Sequence, residues 1–392
     1  MTDLATRTEP ALRRAAPALL GYAAVRALGL ITLALWSAAR DKSAYTLLTA
    51  RWDALWYTRV AERGYGYEVR LPNGDVHSNL AFFPLLPWLE RLGSAATPLS
   101  YADAGFVVSL LASLFAAWGV FAVTDHVYGR RAGVCAVLLW AVLPVGIVQS
   151  MAYSESLFTA LAAWSLYALL SGRPLTAGLL ASLAGLTRPV GLAVVAAVWA
   201  AGIAAFLRDR RDRAPSGSER VAPAGATTAT RAAGMALAPL GAAGYVLWVG
   251  HRTGRGPLGY LDVQAGWRNG FDGGYAFARF VADKFTSFPS ALAGVGLIVG
   301  VGLVVWLYVT CVRQGQPLPL LVYSGVVTAL ALCASSYFGS KPRLLMPAFP
   351  LLLPLALALA RSRTRRSAWV IAVIAGASAL YGAFWLNGSG PP

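Results

Sequence analysis

The 392-residue chain is 57% hydrophobic and only 13% charged, with a mean hydropathy of +0.58. Soluble domains carry about 25% charged residues, so the composition excludes a soluble enzyme and points to a polytopic membrane protein. The net charge of +16 does not mark a nucleic-acid binder, because the Arg residues sit in short clusters between apolar runs, as the positive-inside pattern requires. Anionic membrane lipids or a lipid phosphate are the partners such a charge favours.

Residues 1–14 lack the layout of a cleavable signal peptide, so the first apolar run is expected to stay in the membrane. Runs of roughly 17–25 apolar residues predict about eleven passes. They lie near 17–39, 102–124, 132–150, 155–171, 174–187, 189–207, 232–250, 287–310, 318–337, 344–360 and 367–387. The fifth and sixth form a tight pair, short or re-entrant, with basic ends at Arg173 and Arg208–Arg211. With the N-terminus cytoplasmic, Arg13-Arg14, Arg130-Arg131, Arg173, Arg208–Arg220, Arg313 and Arg361–Arg366 all fall inside. The outer face then receives 40–100, Gln149–Ser154, Thr187-Arg188, 251–286 and Phe338–Arg343. Residues 209–231, rich in Ala, Pro, Ser and Thr, read as a flexible cytoplasmic linker. Cys135, Cys311 and Cys333 lie in or beside apolar runs without CxxC spacing, which argues against a disulfide framework or a zinc site.

The first outer loop, 40–100, is the chemically richest segment. Leu55, Trp56, Val60 and Ala61 predict a surface helix over Asp53–Arg63, and a second is expected over Asn79–Leu92. On the first, Asp53, Trp56 and Tyr57 share a face. Aromatic planes stack on a sugar and a carboxylate takes a proton from an attacking hydroxyl, although an ordinary loop acid has the same spacing. Tyr153-Ser154-Glu155-Ser156 places an acid at a helix start, where it serves either as a substrate ligand or as a cap, and Ser154 is itself a candidate cap. Arg188 stands at the tip of the apolar hairpin 174–207, suited to a phosphate or to snorkelling toward the interface. Lys341 and Arg343 add cations on the same face, while Arg26, inside the first span, needs an acid or backbone carbonyls. Gln264 and Trp267 in 251–286 are glycan-binding candidates, with interfacial anchoring the plainer role for the Trp.

The chain has no Walker-type loop, no His pair at metal-ligand spacing and no paired-Asp motif for a nucleotide sugar. An outer-face donor is therefore expected to be lipid-linked. No cofactor is indicated, and a divalent cation assisting a phosphate stays open without a compelling ligand set.

Arg51-Trp52-Asp53-Ala54, Val60-Ala61-Glu62-Arg63-Gly64-Tyr65 and Asn79-Leu80-Ala81-Phe82-Phe83-Pro84 resemble the GPI mannosyltransferase 2 (PIG-V-like) family. Leu143-Pro144, Tyr153–Phe158 and Arg188 followed by Gly191 continue the series in order; beyond them only Gln264…Trp267 and Pro342-Arg343…Phe349-Pro350 match. Two departures are the long stretch Gly66–Ser78 and Arg188-Pro189-Val190-Gly191, where the eukaryotic pattern carries a polar side chain. The Ala/Arg/Gly-rich composition points to a bacterial homologue, and with the altered motif it leaves the acceptor open, a GPI lipid or another.

The resemblance implies an all-α GT-C glycosyltransferase that takes a sugar, usually mannose, from a polyprenyl phosphate, with Asp53 at the position of the family's acid. The reading that follows is an inverting mannosyltransferase acting on an extracytoplasmic glycolipid or glycan. Asp53 is the expected base, and Arg188, Lys341 and Arg343 the cations for the departing phosphate. Trp52, Trp56, Tyr57 and Tyr153 shape the sugar pocket, with Glu155, Gln264 and Trp267 as further ligands. The rival readings are a transporter or lipid-linked sugar flippase, against which the unmatched loop 40–100 counts, and a non-catalytic partner subunit of a glycosylation complex.

Overall fold

A computed structural model describes residues 11–212, 227–388 and 390. From the N-terminus, α1 (Ala11–Ala38) leads into α2 (Ala44–Thr49), α3 (Asp53–Arg63), strands β1 (Glu68–Arg70) and β2 (Val76–Ser78), and α4 (Leu85–Ala96). Then come α5 (Tyr101–Tyr128), α6 (Arg130–Ala141), α7 (Ser154–Leu170), α8 (Pro174–Gly185) and α9 (Leu192–Asp212). Past residues 213–226 follow α10 (Thr228–Leu237), α11 (Leu240–Thr253), α12 (Gly259–Gly266), β3 (Gly270–Phe271) and α13 (Tyr275–Asp283). The last elements are α14 (Ser290–Arg313), α15 (Leu318–Cys333), β4 (Ala334–Ser335), α16 (Lys341–Leu345), α17 (Leu353–Arg361) and α18 (Thr364–Leu386).

Among the described residues, six helices are long and apolar enough to cross a membrane. They are α1, α5, Pro189–Arg211, Thr228–Thr253, α14 and α18. The pair Phe338–Leu345 and Phe349–Arg361, bent by 75°, makes a seventh if counted as one span. The protein is therefore a multi-pass membrane protein, but eleven full-length passes are not present among the described residues. The expected pass at 132–150 ends as a helix at Ala141, ahead of Pro144, and Gly146–Ser150 is a tight 3-10 turn. The runs at 155–171, 174–187 and 318–337 form helices of 17, 12 and 16 residues. The linker expected over 209–231 falls largely on 213–226, outside the described residues; Leu192–Asp212 and Thr228–Leu237 are helical on either side.

The surface helix expected over Asp53–Arg63 is α3 itself. The second starts later than predicted. Pro84 disfavours helix at the residue before it and becomes the N-cap, so Asn79–Ala81 is a separate turn and α4 begins at Leu85.

The core is built by close helix crossings and one stacked pair, Tyr22 on Trp140 with centroids 5.6 Å apart. Arg26 is buried and donates to the carbonyls of Ala141 and Gly146, which settles its partner as backbone rather than acid. Glycines set the α8 crossings. A Cβ on Gly178 would lie 2.2 Å from Gly234 O, and one on Gly241 would lie 1.8 Å from Ser182 O. Gly178→Val is expected to destabilise the fold by about 1–3 kcal/mol through overpacking. The check is a lowered thermal midpoint of the purified protein in detergent.

The five segments expected on one face do meet. Ala152 N donates to Leu48 O (2.9 Å), Leu85 N to Leu186 O (3.0 Å) and Trp267 Nε1 to Ser78 O (3.0 Å). β3 pairs antiparallel with β4, joining 270–271 to 334–335. At the other end, Arg14 binds Asp125 through two bonds of 2.6 and 2.8 Å, Arg131 donates to Ser362 O, and Arg231 pairs with Asp209.

Candidate active site

Four segments distant in sequence converge on a buried cluster of carboxylates and guanidinium groups. Asp53 is the first residue of α3, and its approach is set by Trp52, whose φ of 52° and ψ of −126° belong to a region favoured by glycine. Glu155 lies in the first turn of α7, where the free N–H groups favour an anion. Arg188 is the extended residue between α8 and the turn Pro189–Gly191, and Arg343 sits on α16.

Arg343 Nη1 donates to Asp53 Oδ2 at 2.7 Å, and its Nε lies 3.3 Å from Glu155 Oε1. Arg188 Nη1 pairs with the same Glu155 oxygen and also donates to Ser154 Oγ at 3.3 Å. The Tyr57 hydroxyl shares a hydrogen bond of 2.7 Å with Ser154 Oγ. Burial pushes the Tyr57 phenol up, despite the Arg188 guanidinium nearby, so it stays protonated and able to donate. The Tyr153 ring lies under the Arg343 guanidinium, 5.1 Å from centroid to Cζ.

A buried carboxylate is unfavourable unless cations offset the lost hydration. Glu155 satisfies this with two arginines. Its side chain is 1% exposed against 26% for Asp53, so Asp53 is the carboxylate a ligand can reach. The structure thus assembles Asp53, Tyr57, Tyr153, Glu155, Arg188 and Arg343. Ser154 is not the helix cap that its position suggested. Tyr153 occupies the cap position and Ser154 bridges Tyr57 and Arg188, a role that no spacing in the sequence announces.

The remaining candidates lie elsewhere. Trp56 stacks on Phe82 at 5.6 Å and meets Trp267 edge-on at 4.9 Å, while Trp267 stacks on His77 at 4.0 Å. Partial burial holds the His77 imidazole below its ordinary value, against the opposing Asp75 charge. This aromatic cluster joins the network through Phe82, 5.2 Å edge-on from Tyr57. Gln264 braces the two large loops, donating to Ala81 O (3.5 Å) and to the Tyr260 hydroxyl and accepting from Asn269 (2.9 Å). Trp52 stacks under Arg51 at 4.3 Å. Lys341 does not enter the cluster. Its Nζ donates to Ala331 O (2.7 Å) and Ala334 O (2.9 Å) at the end of α15. Among the described residues no three His, Cys, Asp or Glu side chains gather as metal ligands.

Trp267→Ala is expected to loosen the packing of 251–286 on β2, because it removes the indole bond to Ser78 O and three ring contacts. Faster proteolysis within 251–286 of the purified protein would register it.

Residues 33–213 match the family described as mannosyltransferase (PIG-V), which bears out the resemblance carried by the motifs between residues 50 and 191. Over 156 residues the chain is 35% identical to GPI alpha-1,6-mannosyltransferase 2 of Rattus norvegicus, covering 37% of this chain and 30% of that protein. For the Mus musculus protein of the same name the figures are 34% over 153 residues, 36% and 29%. The matched region is therefore less than a third of the length of these curated relatives. The fold is similar to that of ArnT from Cupriavidus metallidurans bound to undecaprenyl phosphate, with a TM-score of 0.52 at 14% identity. That likeness covers 92% of this chain and 63% of the other, and it is a likeness of fold.

Proposed function

We propose that this chain is an inverting membrane mannosyltransferase that uses a polyprenyl-phosphate mannose donor and acts on the extracytoplasmic face, with its N-terminus in the cytoplasm. The observation that carries the reading is a reachable carboxylate, Asp53, paired with the buried Arg343, which shares Glu155 with the partly buried Arg188. It supplies a proton acceptor and phosphate-binding cations within one cluster.

In the reaction, the acceptor hydroxyl attacks the anomeric carbon of the sugar and gives its proton to Asp53. A new C–O bond forms as the bond from that carbon to the phosphate oxygen breaks. The polyprenyl phosphate leaves with the electron pair, stabilised by Arg188 and Arg343. A phosphate is a good leaving group, so no protonating acid is needed. The acceptor is a glycolipid or glycan in contact with the aromatic cluster around Trp56 and Trp267.

The test supplies purified protein in nanodiscs with radiolabelled polyprenyl-phosphate mannose and a membrane glycolipid extract. An enzyme yields a new labelled glycoside. Movement of label across the bilayer with no glycoside would instead establish a flippase. Arg188→Ala is expected to raise the donor concentration needed for half-maximal transfer about tenfold or more, since a charge-assisted bond contributes about 1.5–3 kcal/mol. An unchanged donor dependence would remove Arg188 from phosphate binding.

A further inference from the structure

We infer that Asp53 and the donor's phosphate compete for Arg343. This rests on the functional reading above and adds to it a competition between protein carboxylate and lipid phosphate for one guanidinium.

Asp53 and Glu155 together face Arg188 and Arg343, and the two negative charges balance the two positive ones. The cluster is neutral without a ligand, so an incoming phosphate competes with the carboxylates for the guanidinium charge. The two carboxylates hold Arg343 differently. Asp53 takes Nη1, at the tip of the fork, while Glu155 is approached by Nε at its base. Rotation about the Nε end moves the tip from Asp53 to a phosphate while Nε stays beside the Glu155 charge.

The backbone that carries Arg343 is held in place. Two residues earlier, Lys341 ties α16 to the carbonyls ending α15. The Tyr153 ring supplies a flat surface beneath the guanidinium. Arg188 is already committed to Glu155 and Ser154, so Arg343 is the arginine whose partner is the reachable carboxylate. When the phosphate takes the guanidinium, Oδ2 joins Oδ1 as an oxygen free to face the acceptor hydroxyl.

The experiment measures the dissociation constant of undecaprenyl phosphate for the full chain in nanodiscs, without turnover. Asp53→Asn removes the competing charge at constant size and is expected to tighten binding about tenfold. In an Arg343→Gln background the same change is expected to leave binding unaltered, because the contested guanidinium is gone. Unchanged or weaker binding by Asp53→Asn alone would overturn the competition. So would equal tightening in both backgrounds, which marks simple repulsion between Asp53 and the phosphate. If Arg343→Gln does not fold, Arg343→Lys replaces it, with the tightening expected to shrink at least threefold; undiminished tightening overturns the proposal. Sugar transfer is assayed separately. Native-like transfer by Asp53→Asn would sink the assignment of the base while the binding result still decides the competition.

Discussion

Asp53→Asn is expected to lower sugar transfer by roughly 10²–10⁴-fold, the usual contribution of a positioned general base. The amide keeps the size of the side chain and can still accept the bond from Arg343, so α3 and the cluster should form as before. What it lacks is the basicity to take the acceptor's proton. The measurement is the initial rate with labelled polyprenyl-phosphate mannose, alongside membrane yield and thermal midpoint to establish that the variant is folded. A rate within a few-fold of the native protein would mean that Asp53 is an ion-pair partner and the base lies elsewhere.

The second large effect is on stability. Glu155→Ala leaves Arg188 and Arg343 buried without their shared anion, and breaking a buried pair in this way costs about 3–5 kcal/mol. Desolvation dominates here, because among the described residues the guanidinium groups keep Asp53 and Ser154 as hydrogen-bond partners and the Tyr153 ring beneath Arg343. Glu155→Gln should be milder, since its amide keeps the size of the side chain and a polar oxygen facing the arginines although the charge is gone. The two variants can be ranked by unfolding midpoint in detergent. A Glu155→Ala protein as stable as the native one would show that the arginines find other partners.

Much of this arrangement is legible in the linear sequence, for identifiable reasons. Helix α3 is announced by apolar spacing at Leu55, Trp56, Val60 and Ala61, a local signal that tertiary packing did not override. The alternation of basic clusters assigned five segments to one face, and those segments do contact one another. Pairwise partnerships are a different matter. Asp53 and Arg343 are 290 residues apart, and no periodicity reports such a contact. Lys341 and Arg343 look like a single cationic patch, yet residues two apart on a helix point in different directions. One caps α15 and the other reaches the carboxylates. Hydropathy also cannot tell a full crossing from a shorter apolar helix inside the bundle, which is why the runs at 132–150 and 174–187 read as passes.

Trp52 leads to a last consequence. A bulky aromatic in a backbone region favoured by glycine carries a conformational penalty on the order of 1–3 kcal/mol. Its neighbours must hold it there, and Arg51 clamps the indole from one side. The direction in which the Asp53 carboxylate leaves the chain is thus set by the main chain one residue earlier. Trp52→Gly would relieve the local strain, offsetting part of the lost indole packing, yet it would let the carboxylate wander. Stability and aim would then part company at a single position, so a less strained chain would be a poorer catalyst.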